Sequence, residues 1–438
     1  MGVARSGEAV AHLLLRKGMN VIVNERRPLE GDAVAEELVQ AGAKVTGGGH
    51  PLSLLDERPD FIVKNPGIPY SVPFLQEAIR REIPIYTEIE VASWFTKAPI
   101  FGVTGSNGKT TTTTLIGEML EEAGQNPVVA GNIGRVLSGL IGDVGDSQPI
   151  VLELSSFQLM GVETFHPKIA VLLNLYAAHL DYHGSFDDYV SAKWRLFRNM
   201  TPADTVVLNR DSPEILSRAG NLPAKVVWFS QQTAVEEGVW LENGVIMAAV
   251  NGQRLAVLPV QELGLQHNLE NTLAAVAVAL IAGAPLAAVV SVLRRFRGVE
   301  HRMEQVREVA GVTYYNDSKA TNPDAALRAL QAFAGNVVWI AGGLDRGDDF
   351  SPMIPALRER VKGAVLLGES APRLALSCEA AGIGHIAQVA SIEEAVDLAG
   401  QWAESGDVVL LSPACASWDM FKSFEERGSM FKQAVHRL

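Results

Sequence analysis

Apolar residues along this chain fall into short unbroken runs, separated by stretches in which they return every three or four positions. Such an alternation of buried strands with amphipathic helices predicts an α/β fold. In the N-terminal part, a helical pattern over 8–16 leads through Gly18 into the strand Asn20-Val-Ile-Val-Asn-Glu25. A helix over 32–41 and strands over 44–46 and 60–63 continue the series. The glycine turn Val3-Ala-Arg-Ser-Gly7 reads as part of a nucleotide-binding βαβ unit whose first strand is missing, because Met1 falls inside the turn. A natural start upstream of Met1 is therefore expected.

Further along, strands are predicted over 100–103, 126–129, 149–156 and 168–174, then short strands and turns over 205–258. A last α/β series has strands over 311–316, 337–341, 363–367 and 407–411. These patterns divide the chain into three domains, 1–93, 94–297 and 298–438: Rossmann-like, P-loop-type with a parallel sheet, and Rossmann-like again. The segment 272–293 carries no charge over 22 residues, long enough for a membrane span. Gly283-Ala-Pro285 breaks it, so two adjacent core helices are expected and no membrane insertion.

The strand over 100–103 runs into Thr104-Gly-Ser-Asn-Gly-Lys-Thr, and Lys109 opens a helical pattern reaching Gly124. Strand, glycine turn and helix N-terminus make a phosphate cradle. Glycines let amides turn inward, the helix dipole favours anions, Lys109 adds a charge, and the Thr110 hydroxyl suits Mg²⁺. Val103 stands where the strict P-loop pattern has glycine. A nucleoside triphosphate is the predicted ligand.

Composition narrows the picture. With 37 basic and 50 acidic residues the net charge is −13, which argues against a nucleic-acid partner. Two cysteines, Cys378 and Cys415, give no disulfide framework and no metal cluster, and no signal segment opens the chain, so a cytoplasmic protein is expected. Glu153 ends one parallel strand, and His179 and Asp181 follow another. Both strand ends lie beside the phosphate loop, where a divalent ion could sit. Over 186–199, Lys193 shares a row with Tyr189 and Leu196 at the edge of the buried face, and pattern alone reads it as a snorkelling side chain. Asn65-Pro-Gly-Ile-Pro is a loop at a strand end. Asn268 and Asn271 suit hydrogen bonds to a base or ribose, or a helix cap.

Taken together, the phosphate loop, Gly131-Asn-Ile-Gly134, Glu153-Leu-Ser-Ser156, His179, Lys193, His267-Asn-x-x-Asn271 and His301-Arg-Met-Glu304 resemble the Mur ligases. These are ATP-dependent amide-bond-forming enzymes of bacterial cell-wall synthesis. Asn316-Asp-Ser-Lys-Ala-Thr-Asn322 and Ser412-Pro-Ala-Cys-Ala-Ser-Trp-Asp419 look like the branch that adds D-glutamate. The resemblance implies ATP and Mg²⁺ as cofactors and UDP-N-acetylmuramoyl-L-alanine and D-glutamate as substrates, in a monomeric enzyme. It assigns Gly105, Ser106, Asn107, Gly108, Lys109, Thr110, Thr111, Asn268, Asn271, Arg302 and Asp317 to the nucleotide. Thr110, Glu153, His179 and a carbamylated Lys193 would serve the metal, with Lys109, His179 and Lys193 catalytic. Arg5, Ser6, Arg26, Arg27, Asn65, Asn132 and Ser156 would meet the UDP-linked substrate. Lys319, Thr321, Arg346, Ser417 and Phe424 would meet D-glutamate, with Arg346 standing where the family often has Lys and Trp418 where it often has Leu. Ser417 also reads as a helix N-cap. Ligands from three domains imply closure during turnover. Another Mur-type ligase, a folylpolyglutamate-type ligase and a non-catalytic nucleotide-binding homologue are the alternatives.

Overall fold

The computed structural model describes residues 1–133, 135–250, 252–265 and 269–438. Two compact units form, 1–296 and 297–438.

The first unit opens with two parallel ladders, Ile22–Asn24 on Lys44–Thr46 and Ile62–Val63 on Ile85–Tyr86. Met1 and Gly2 lie between them. Gly2 N–H donates to the Asn24 carbonyl (2.9 Å), the terminal amine to Val63 O (2.8 Å), and Asn65 N–H to Met1 O (3.0 Å). The first helix, Arg5–Arg16, starts three residues earlier than its apolar pattern, so Arg5 and Ser6 sit in its first turn rather than in the preceding loop. A Cβ at Gly7 would lie 1.9 Å from the Gly2 carbonyl oxygen, and this close approach keeps the turn glycine. Small apolar clusters around Leu38 and Leu75 hold the two ladders.

A nine-stranded sheet fills the rest of this unit. From Val128–Gly131 through Ile150–Glu153, Ile100–Thr104, Ile169–Leu172, Thr205–Asn209 and Lys225–Ser230 to Gly238–Glu242, neighbouring strands are parallel. Val245–Val250 and Gln253–Pro259 then extend the sheet as antiparallel hairpins, which the expectation of a parallel sheet did not include. The central strands read as continuous apolar runs because both their faces are buried. Lys109–Glu122 packs against Leu269–Ile281 and Leu286–Arg295, so the uncharged segment is indeed two core helices. Among the described residues, no helix is long and apolar enough to cross a membrane.

Short helix Glu88–Ser93 is pinned to this sheet. The buried Glu90 carboxylate accepts from the N–H groups of Glu163, Thr164 and Phe165 and from Trp94 Nε1. Saturating a buried carboxylate with donors is what makes its burial tolerable.

The second unit is a six-stranded sheet in the order Glu304–Val309, Val312–Asn316, Val408–Leu411, Val337–Gly342, Val361–Leu367, His385–Gln388. All its pairs are parallel except the first. Separate apolar clusters cover its two faces. Cys378 and Cys415 are both buried free thiols, and burial pushes them up to about 12 and about 11.

Candidate active site

The phosphate loop forms as its sequence predicts. Ile100–Thr104 ends at Gly105, and the helix Lys109–Glu122 starts after Gly108 at φ 80°. Glycine at 108 is demanded twice: by that positive φ, and by the Asn271 side chain, whose Oδ1 would lie 1.9 Å from a Cβ. Lys109 Nζ folds back onto the carbonyls of Gly105 and Ser106, both at 2.9 Å. Asn174, a residue the sequence did not single out, braces the loop. It accepts from Asn107 N–H (2.9 Å) and donates to Glu270 (2.6 Å). The Ser106 hydroxyl meets the Tyr189 phenol at 2.9 Å. Thr111 is half-buried in the first helical turn. Asn268, His267 and Gly134 lie outside the described residues.

Glu153 pairs in register with Val103 on one side and Gly131 on the other, which carries its side chain to the loop. It is 2% exposed, and its oxygens accept from the Thr110 hydroxyl (2.6 Å) and the Asn132 amide (2.9 Å). A buried carboxylate with a hydroxyl at hand supplies hard oxygen donors of the kind Mg²⁺ takes, so these residues fit that ion.

Lys193 corrects the reading from pattern. It does not snorkel: it is 1% exposed, and its Nζ donates to the Gly105 carbonyl at 2.8 Å. Desolvation, with repulsion from Lys109 added, holds its pKa well below the usual lysine value, while Glu153 opposes the shift. A long chain near a sheet edge can reach water or the adjoining loop, and helical periodicity does not distinguish the two.

His179 adopts a left-handed conformation at φ 55° and its ring lies 5.0 Å from that of Phe157. Nearby, the buried Ser156 hydroxyl meets His183 Nε2 at 3.0 Å. The loop after Val63 is held by Lys64, which is fully buried. Its Nζ donates to the carbonyls of Pro66 and Ile68 (both 3.0 Å) and lies 3.3 Å from the Tyr182 hydroxyl. Burial lowers its pKa to about 8. Asn65 N–H joins this loop to Met1, whereas Arg5, Arg26 and Arg27 are exposed, Arg27 pairing with Asp32 at 2.5 Å.

In the second unit, Asp317 is buried and accepts from Met303 N–H (3.2 Å) and the Ser412 hydroxyl (2.9 Å); burial raises its pKa to about 6. Arg302 precedes Met303 in the same turn. Lys319 Nζ lies 5.7 Å from the centre of the Phe424 ring, and the Arg346 guanidinium 4.7 Å from that of Trp418. Thr321 N–H closes a tight turn onto Lys319 O (2.9 Å). Ser417 is not a helix N-cap: its carbonyl closes a turn with the N–H groups of Met420 and Phe421, and Ser423 caps the following helix.

Two family models match this chain, the Mur ligase middle domain over residues 103–279 and the Mur ligase glutamate ligase domain over 301–415. UDP-N-acetylmuramoylalanine–D-glutamate ligase of Bacillus cytotoxicus is 48% identical over 438 residues, covering 100% of this chain and 97% of that protein. The enzyme of the same name from Geobacillus kaustophilus is 48% identical over 439 residues, with the same coverage. The chain belongs to the Mur ligase family. Among solved structures, a murein peptide ligase from Psychrobacter arcticus shares the fold with a TM-score of 0.51 at 16% identity, covering 98% of this chain and 96% of that one. The MurF ligase of Thermotoga maritima, solved in complex with ADP, gives 0.52 at 20% identity over 83% and 92% of the two chains. The phosphate loop falls within the first matched stretch, and Lys319 and Arg346 within the second.

Proposed function

We propose that this Mur ligase adds D-glutamate to UDP-N-acetylmuramoyl-L-alanine at the expense of ATP, in the cytoplasmic synthesis of peptidoglycan precursors. One observation carries the reading: 48% identity from end to end with ligases named for that reaction. The alanine carboxylate oxygen attacks the γ-phosphorus, the bond to the bridging oxygen breaks, and ADP leaves. The D-glutamate amine then attacks the acyl-phosphate carbonyl, the C–O bond to phosphate breaks, and the amine gives up its proton. Both steps bring anions together, so the residues that matter are those that gather positive charge.

Lys109 and the amides of 105–111 serve the β- and γ-phosphates, and Asn271 the nucleotide beside Gly108. Thr110, Glu153 and His179 would hold Mg²⁺, which supplies charge neutralisation when bound. Burial disfavours the ammonium form of Lys193, and addition of CO2 to its amine, with loss of a proton, would place a carbamate near Lys109 and Glu153. Asn65, Asn132, Ser156, the half-buried Ser6 and the exposed Arg5, Arg26 and Arg27 serve the UDP-linked substrate. Arg302 and Asp317 serve the nucleotide. Lys319, Thr321, Arg346 and Ser417 hold the two D-glutamate carboxylates against the wall of Phe424, since carboxylates leaving water need donors or cations. The enzyme acts as a monomer.

The test is ATP-dependent phosphate release with UDP-N-acetylmuramoyl-L-alanine and a panel of D-glutamate, L-glutamate, L-lysine and meso-diaminopimelate. Release with D-glutamate alone is the expected result. Release that ignores the amino acid, or prefers another of the four, overturns the reading.

A further inference from the structure

Arg427 sits in the first turn of the helix Phe424–Arg437, with Glu425 and Glu426 before it. Nothing in that context marks it for burial, yet it is 1% exposed. Its guanidinium reaches three loops. Nε donates to Ser318 Oγ (3.0 Å) and Nη2 to the Ser318 carbonyl (2.9 Å); Nη1 donates to the carbonyls of Cys415 (3.1 Å) and Gly342 (3.3 Å). Ser318 in turn donates to the Phe424 carbonyl at 2.8 Å.

Those loops leave three adjacent parallel strands, Val312–Asn316, Val408–Leu411 and Val337–Gly342, at their C-terminal ends, where open α/β sheets place ligands. Lys319 and Thr321 stand on the first loop, Ser417 on the second and Arg346 on the third. A rigid planar fork with donors in several directions can set the spacing of three loops at once, which a single ammonium cannot. The hydrogen-bond acceptors of Arg427 are neutral carbonyls and a hydroxyl, not carboxylates, among the described residues. The guanidinium is thus held by backbone carbonyls and a hydroxyl, with the Asp419 carboxylate as an electrostatic partner that does not hydrogen-bond to it.

We infer that Arg427 is a positioning residue for the acceptor amino acid: it locks the ends of three adjacent strands, and the loops that follow them, in register. The inference rests on the D-glutamate reading above and goes beyond it, since Arg427 need not touch substrate.

The test uses the full chain with Arg427→Met, Arg427→Lys and Ser318→Ala, comparing kcat and KM for all three substrates. Both Arg427 variants should raise the KM for D-glutamate at least about tenfold, leaving those for ATP and the UDP-linked substrate within about twofold. Ser318→Ala, which removes a single acceptor, should raise it about threefold. Equal rises for all substrates, or a fall in kcat with every KM unchanged, overturn the proposal. Where the methionine variant does not fold, Ser318→Ala decides, and an unchanged D-glutamate KM there overturns it. Failure of the unmutated chain to use D-glutamate overturns the substrate reading instead, and is seen before any variant is compared.

Discussion

Glu88 is 3% exposed, and its Oε1 accepts from Ser138 N–H at 2.5 Å. Loss of water raises its pKa from 4.5 to about 7. The folded chain therefore keeps a proton that the unfolded chain releases, and stability falls as pH rises from 4.5 to about 7 and is level beyond. Glu88→Gln retains the acceptor and removes the titration. Urea denaturation should find the variant more stable by about 3 kcal/mol at pH 8 and no different at pH 4. Lys193 offers a second test at this scale. Lys193→Ala should lower kcat for phosphate release by about a hundredfold or more, with no recovery in bicarbonate and partial recovery with a small carboxylic acid. Undiminished turnover would make its burial a matter of packing only.

Among the elements, the parallel strands and the phosphate loop were legible in the sequence, because apolar runs ending in glycine turns have few other meanings. Glu304–Val309 was not, since its exposed face carries Gln305, Arg307 and Glu308 and no apolar run results. His385–Gln388 was missed for the same reason, being short and partly exposed at the sheet edge. In the candidate site, the residues read correctly as close neighbours were those tied to backbone motifs, Thr110 and Glu153 above all. Those missed were Asn174 and two long cations. Arg427 follows two glutamates and reads as a solvated helix face, yet it turns inward to carbonyl oxygens that only tertiary structure assembles; Lys64 reads as the polar end of a strand, yet it turns into its own loop, where the Tyr182 hydroxyl meets it from another element. Lys64 joins the loop 65–70 to Tyr182 on the helix Leu180–His183. Lys64→Met should therefore raise the KM for the UDP-linked substrate severalfold and leave that for ATP unchanged, as steady-state kinetics would show; parallel changes in both would mark a general loosening.

For the whole molecule, the family was readable because its motifs are spread along the chain in order, whereas the antiparallel end of the large sheet needed the structure. The chain passes from one unit to the other, each with its own core, between Phe296 and Arg297. Brief trypsin treatment should cut there first and leave two resistant fragments, since segments crossing between cores are the least protected. Scattered early cleavage throughout 1–296 would contradict the division.

Both native thiols lie inside and are reluctant to ionise. Alkylating reagents act on thiolates, so at neutral pH they would pass these two by. Val39→Cys and Leu376→Cys, at surface positions 55% and 65% exposed, would give each unit one reactive handle without removing any native cysteine. A donor and acceptor dye attached there would let energy transfer follow the separation of the units while the enzyme turns over.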